Sequence, residues 1–255
     1  MKPVQAIASV ALVLAAVPAA RAEGPVVAVA AAASLRPALE ELARAFEAER
    51  GGCRVVATYG ASGTLLAQLR AGAPFALFMS ADRDYPRKAI EAGLASEEVV
   101  YAVGRLVAFV PRGSPAAIEA RGLAALADPA VRRVAIANPA VAPYGRAAEA
   151  ALRAAGVLEA VRPKIVLGES VAQAAQFAHA GAVDAALLPA SVATAPELAA
   201  TGAAVPLAPG IAQRVPQSAV VLTSARHAEL ARAFLSFVTG ARGRAILARH
   251  GYDPP

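Results

Sequence analysis

The ten residues VVAVAAAASL, Val26 to Leu35, carry the chain from one backbone period to another. The valines and the first alanines read as a short apolar β-type run, and the small residues after them lead to Ser34. From Leu35 the apolar residues recur at helical spacing, with Leu35, Leu39, Leu42, Ala43 and Phe46 on one face. A strand that enters a helix through residues this small leaves backbone N–H groups open to a ligand, at the positive end of the helix dipole. Such a junction suits an anion, and Ser34 adds a hydroxyl at its tip. The competing reading makes Ser34 an N-cap, its oxygen satisfying an orphan N–H of its own helix.

The same arrangement recurs downstream. Gly51-Gly52 breaks the first helix, Arg54 to Thr58 reads as a strand, and Tyr59-Gly60-Ala61-Ser62-Gly63-Thr64 leads into a helix carrying Leu65, Leu66 and Leu69. Two such units place Ser34 and Ser62 at the same carboxyl edge of a parallel sheet, where ligands bind in open α/β folds. Ser62 as a plain turn or capping residue is the alternative. Phe75 to Met79 is a continuous apolar run, as expected for a strand buried on both faces, and Ser80-Ala81-Asp82 follows it. A short helix over Tyr85 to Ala92, a solvated pair Glu97-Glu98 and a strand over Leu106 to Val110 come next.

A second set of units begins after Pro111-Arg112-Gly113. Helices are expected over Gly122 to Ala127, Arg146 to Ala155 and Val171 to His179. Strands are expected over Val134 to Ala137, Ile165 to Leu167, Ala185 to Leu188 and, after a loop from Ala208 to Pro216, Ala219 to Leu222. Helices over Ala228 to Val238 and Ala241 to His250 close the chain. Strands alternating with helices throughout specify an α/β architecture with largely parallel sheets.

Composition narrows the function. Lys2, the apolar stretch Val4 to Val17 and Ala20-Arg21-Ala22 have the form of a secretory signal peptide cut after Ala22. The apolar stretch is short for a membrane span, and no cysteine near Ala22 offers a lipid attachment site. The net charge of +6 would attract anions, yet no run of five Lys or Arg and no basic patch interleaved with aromatics marks a nucleic-acid surface. Cys53 is the only cysteine, so no intrachain disulfide forms and no cysteine cluster holds a metal.

Neither GxxxxGK[ST] nor GxGxxG is present. Gly60-Ala61-Ser62-Gly63-Thr64 approaches a nucleophile elbow, but Thr64 stands at its fifth position. A serine hydrolase also needs a histidine, and His179, His227 and His250 read as surface or capping residues. Glu40-Glu41 reads as solvated, opposite the apolar face of the first helix.

AAASL at Ala31 to Leu35, the turn through Ser62 to Leu65, and GAPFALFMSAD at Gly72 to Asp82 resemble the periplasmic molybdate-binding proteins of ABC transporters. The likeness extends to the closing FLSFVTGARGRAILARHGY and covers nearly all of the chain after Ala22. It implies a type II periplasmic binding protein: two α/β lobes, each a mostly parallel sheet flanked by helices, with the ligand cleft between them. The lobes would comprise residues 23–103 plus 224–255 and residues 104–223, with hinges near Gly104 and Leu222. The resemblance further implies that Ser34 and Ser62 bind the oxyanion through hydroxyls, and Tyr144 and Val171 through backbone N–H groups. Some family members add a tyrosine hydroxyl where this chain has Leu188, with Ser170 available to compensate. An aspartate common in the family is Ala76 here.

The expected protein is therefore a monomeric, periplasmic solute-binding protein and not an enzyme. It needs no cofactor, and it carries molybdate or tungstate to a membrane permease. Two alternatives stay open: the same fold tuned to sulfate or a small organic acid, and a secreted serine hydrolase using Ser62.

Overall fold

The structure, a computed structural model, describes residues 24–211 and 213–255; the expected signal peptide lies outside the described residues. The strands among the described residues are β1 (Val26–Ala32), β2 (Arg54–Gly60), β3 (Leu77–Met79), β4 (Val99–Pro111), β5 (Val134–Ala137), β6 (Ile165–Gly168), β7 (Ala185–Pro189), β8 (Gly202–Pro206) and β9 (Arg214–Val221). The helices are α1 (Arg36–Arg50), α2 (Ser62–Arg70), α3 (Asp84–Glu91), α4 (Ile118–Arg121), α5 (Pro143–Ala154) and α6 (Leu158–Val161). They continue with α7 (Val171–His179), α8 (Ala190–Ala193), α9 (Pro196–Ala199), α10 (Ala228–Thr239) and α11 (Ala241–Arg249).

The strands hydrogen-bond in the order β2-β1-β3-β9-β4-β7-β5-β6, with β8 alongside β4. Parallel triplets stand at the two ends: β2-β1-β3 in the first half and β6-β5-β7 in the second. The strands between them, β9 and β4, pair antiparallel with their neighbours. Strand β4 belongs to both halves. Its residues Val99 to Arg105 pair with β9, and Leu106 to Pro111 pair with β7 and β8. The result is a two-lobed α/β fold. The boundary expected at residue 223 assigns β9 to the second lobe, while its pairing is with β3 and the first part of β4.

Each half has its own core. In the first, Leu39, Leu42 and Phe46 of α1 pack with Phe234 and Val238 of α10 and Leu247 of α11 over β1. Phe46 meets Phe234 edge-on at 5.1 Å between ring centroids. Leu39 is fully buried, and trimming it to alanine would cost about 2–5 kcal/mol. On the other face of the same sheet, Leu65, Leu66 and Leu69 of α2 pack with Phe78 and Tyr85. In the second half α7 covers the sheet through Ala174 and Ala178, against Leu188 and Phe109.

Several elements run further than expected. Strand β4 begins at Val99, before Gly104 and Arg105 interrupt its apolar pattern. Strand β9 begins at Arg214 and includes Pro216. Proline is tolerated there because β3 reaches only residues 219–221, leaving that part of β9 with β4 alone as neighbour. Strand β8 lies in a stretch whose Gly-Ala-Ala composition gave no strand signal. Residues 122–127 form a 3-10 turn after α4. Helix α5 begins at Pro143, a residue suited to the first helical position, so Tyr144 lies inside its first turn.

Candidate functional site

Four turns at strand ends converge where the two halves face each other. Strand β1 ends at Ala32, and the 3-10 turn Ala33–Leu35 leads into α1. Strand β2 ends at Gly60, and Ser62 is the first residue of α2. From the second half come the start of α5 after β5 and the start of α7 after β6. Ala32, Ala33, Ala61 and Ala81 of the first half share one buried cluster with Ala142, Tyr144, Ala147 and Val171 of the second. The four expected ligand residues thus lie on turns brought together by the fold.

Their chemistry differs. Ser34 is 1% exposed, and its Oγ is buried with no hydrogen-bond partner. Leu35 holds the N-cap position of α1 and no side chain caps that helix, so the capping reading of Ser34 fails. The carbonyl of Ser34 is held twice, by Ser191 Oγ at 2.9 Å and by Tyr252 Oη at 2.8 Å. Ser62 is fully buried; its Oγ accepts the Ala81 N–H at 3.1 Å, which leaves the hydroxyl hydrogen to donate. It does not cap α2 either.

In the second half, Gly145 lets the first turn of α5 press on the end of β5. A Cβ there would stand 2.2 Å from the Ala137 carbonyl oxygen. The buried Tyr144 side chain turns away along the central strands, where its Oη accepts from Gln217 Nε2 at 2.9 Å. Gly104 makes room for it, since a Cβ at that position would fall 1.8 Å from the phenolic oxygen. Burial pushes the Tyr144 hydroxyl well above its ordinary pKa, so it stays neutral. Ser170 is the N-cap of α7 and makes no side-chain capping bond. In the first turn of α5, Pro143 has no N–H and the Gly145 N–H donates to the Ala142 carbonyl at 3.0 Å, which leaves the Tyr144 N–H, with the first N–H groups of α7, without an intrahelical acceptor.

Leu188 packs in the core beneath α7, while its neighbour Leu187 joins the cluster that contains Tyr144. Buried polar and charged residues among those described are Ser34, Ser62, Ser80, Asp82, Ser191, Gln217 and Ser218. That set holds hydroxyls, one amide and one carboxylate, and no lysine or arginine. Asp82 is engaged: Oδ1 accepts from Ser80 Oγ at 2.8 Å and the Tyr85 N–H at 3.2 Å, and Oδ2 accepts from Arg146 at 2.5 Å. Burial nevertheless raises its pKa, more than those contacts lower it.

No group of three His, Cys, Asp or Glu side chains that could hold a metal ion occurs among the described residues. His250 contacts Glu41 at 2.8 Å, and Arg249 reaches the same carboxylate, so Glu41 is not the solvated residue its pattern suggested. Glu98 also departs from expectation. It accepts from Arg83 at 2.8 Å and from Arg87 at 3.2 Å, which holds its pKa down at about 2.

Sequence reasoning missed Asp82, Tyr85 and Arg146, which join the halves, and Ser191 and Tyr252, which hold Ser34. The Ser-Ala-Asp after β3 was a usable signal, because it stands at the same sheet edge as the serine turns. Tyr252 carried none.

Two parallel triplets joined through antiparallel central strands, with turns converging between them, give a two-lobed α/β fold with a cleft. The chain matches the family model "bacterial extracellular solute-binding protein" over residues 27–253 and belongs to that family. Within it, the chain is 34% identical to the molybdate-binding protein ModA of Rhodobacter capsulatus over 91% of its own length and 89% of the relative's. It superimposes on the periplasmic molybdate-binding protein of Azotobacter vinelandii with a TM-score of 0.80 at 31% identity, over 90% of this chain and 99% of that one. The sulfate-binding protein SubI of Mycobacterium tuberculosis shares the fold, with a TM-score of 0.78 at 18% identity over 90% of this chain and 87% of that one.

Proposed function

We propose that this chain captures molybdate, and tungstate with it, in the periplasm and hands it to the membrane permease of an ABC transporter. The relatives named as molybdate-binding proteins support the cargo. The observation that supports the site is the Ser34 hydroxyl, buried without a hydrogen-bond partner. An unsatisfied buried polar group costs about 1–3 kcal/mol, so a ligand that accepts from it is favoured there.

A tetrahedral oxyanion dianion offers four acceptor oxygens and no donor. In this reading Ser34 and Ser62 donate hydroxyls, and Tyr144 and Val171 donate backbone N–H groups. The starts of α5 and α7 add the positive ends of their dipoles, so the charge is met without a lysine or arginine. Sulfate presents the same acceptor pattern as molybdate, so the size of the closed cavity separates them. The lobes close about β4 and β9, the mature protein starts after Ala22, and it acts as a monomer that performs no catalysis.

Thermal unfolding of the mature protein with molybdate, tungstate, sulfate and phosphate in parallel tests the cargo. A ligand at a thousand times its Kd adds about 4 kcal/mol, or roughly 8–16 °C for a domain of this size. Shifts of that order with molybdate and tungstate alone are expected. A shift with sulfate or phosphate instead would change the cargo and keep the fold.

A further inference from the structure

Beyond the four turns, the halves are joined by side chains that do not belong to the donor set. Arg146 lies two residues past Tyr144 on α5 and crosses the cleft. Its Nη2 donates to Asp82 Oδ2 at 2.5 Å, and its Nη1 donates to Tyr85 Oη at 3.2 Å. The guanidinium carbon stands 5.2 Å from the centroid of the Tyr85 ring. Tyr85 Oη in turn donates to the Ala140 carbonyl at 3.3 Å, in the loop that leads into α5. Beside this group the Gly63 N–H donates to the Val141 carbonyl at 2.9 Å. Gly63 fits because it lacks a Cβ, which would stand 2.7 Å from Tyr85 Oη.

Both ends of the ion pair are fixed to the ligand turns. Asp82 is held by Ser80 and by the Tyr85 N–H, and its carbonyl accepts from the Ser218 N–H and hydroxyl, each at 3.2 Å. One residue earlier, the Ala81 N–H reaches Ser62 Oγ. Arg146 follows directly on Tyr144-Gly145 in the first turns of α5. A continuous path therefore runs from the Ser62 turn through Ala81, Asp82 and Arg146 to the Tyr144 turn. The Asp82 side chain is 11% exposed and that of Arg146 is 39% exposed, so the pair sits at the mouth, half sheltered from water.

We infer that Asp82 and Arg146 are positioning residues for ligand capture: their ion pair forms on closure, seats the Tyr144 turn over the Ser62 turn, and slows release without touching the anion. This rests on the oxyanion-binding reading of the cleft. Truncating one partner of a sheltered, hydrogen-bonded charge pair across an interface acts chiefly on the dissociation rate, and the Asp82 carboxylate is sheltered in this way. A pair made only in the closed form leaves the ligand-free protein as it was when it is removed. It also affects every tetrahedral oxyanion by the same factor.

The test is stopped-flow binding and ligand-free thermal unfolding of the full mature chain and its Arg146→Met, Arg146→Lys and Asp82→Asn variants, with molybdate and tungstate. Arg146→Met should raise koff about tenfold with kon within about twofold, equally for both anions. Arg146→Lys should recover part of the loss, since it keeps the charge and loses the fork. The Asp82→Asn/Arg146→Met double variant should lose no more than the worse single one, and the ligand-free midpoint of Arg146→Met should match the parent. An unchanged koff in both Arg146 variants, or losses that add in the double variant, would overturn the inference and leave the binding site standing. A ligand-free midpoint that falls as far as the ligand-bound one would make the pair a plain structural contact. Absence of oxyanion binding by the parent protein would remove both readings together.

Discussion

Replacing Ser34 by alanine separates ligand binding from folding. The Ser34 hydroxyl is buried and makes no hydrogen bond within the protein, so its loss takes no internal hydrogen bond from the ligand-free protein. The contacts that fix this turn run through the Ser34 carbonyl, which alanine retains. The ligand-free midpoint should therefore hold or rise. Binding should move the other way. A hydrogen bond to a charged acceptor contributes about 1.5–3 kcal/mol, which corresponds to roughly a 12- to 140-fold rise in Kd. Ser62→Ala should show a different signature, because Ser62 Oγ also accepts the Ala81 N–H. Its removal orphans a buried donor and lowers stability by about 1–3 kcal/mol together with affinity. Calorimetric titration with molybdate and ligand-free melting curves read both quantities. An unchanged Kd in Ser34→Ala, or a ligand-free midpoint that falls as far as in Ser62→Ala, would refute this account of the serines.

Three further outcomes follow from the same geometry. Tyr144→Phe keeps the backbone N–H and orphans the buried Gln217 Nε2; urea unfolding should show a loss of about 1–3 kcal/mol, with Kd in calorimetry within about threefold of the parent. Gly145→Ala forces a Cβ against the Ala137 carbonyl; a displaced α5 start should weaken binding by roughly tenfold or more and lower the midpoint, and an unaltered Kd would count against α5 as a ligand element. Glu98 has its pKa depressed from 4.5 to about 2, chiefly by its hydrogen bond from Arg83. Its contribution is present above the unfolded value and disappears as pH falls toward 2, so Glu98→Gln should be less stable at neutral pH by about 1 kcal/mol and converge with the parent in acid.

What could be read from sequence followed local periodicity. The stretch from Val26 through Ser34 into Leu39 announced both the strand and the turn, and α7 was bounded at Val171 and His179 by pattern alone. Strands β4 and β9 were read short because Gly104, Arg105, Pro216 and Gln217 break the apolar run. Those residues serve the junction of the halves: Gly104 clears space for Tyr144, and Gln217 holds it. The serine turns were legible because in both a run of small residues separates a strand period from a helical one. The pair of Asp82 and Arg146 was not, since its partners lie 64 positions apart and only the fold makes them neighbours. Ser191 and Tyr252 escaped for the same reason, each reaching the Ser34 carbonyl from more than 150 positions away.

The most direct measurement is a crystal of the mature protein grown with tungstate, with data collected across the tungsten absorption edge. The account predicts one strong anomalous peak within hydrogen-bond reach of oxygens held by Ser34 Oγ, Ser62 Oγ and the N–H groups of Tyr144 and Val171. A peak elsewhere, or an empty cleft in crystals of protein that binds tungstate in solution, would contradict it.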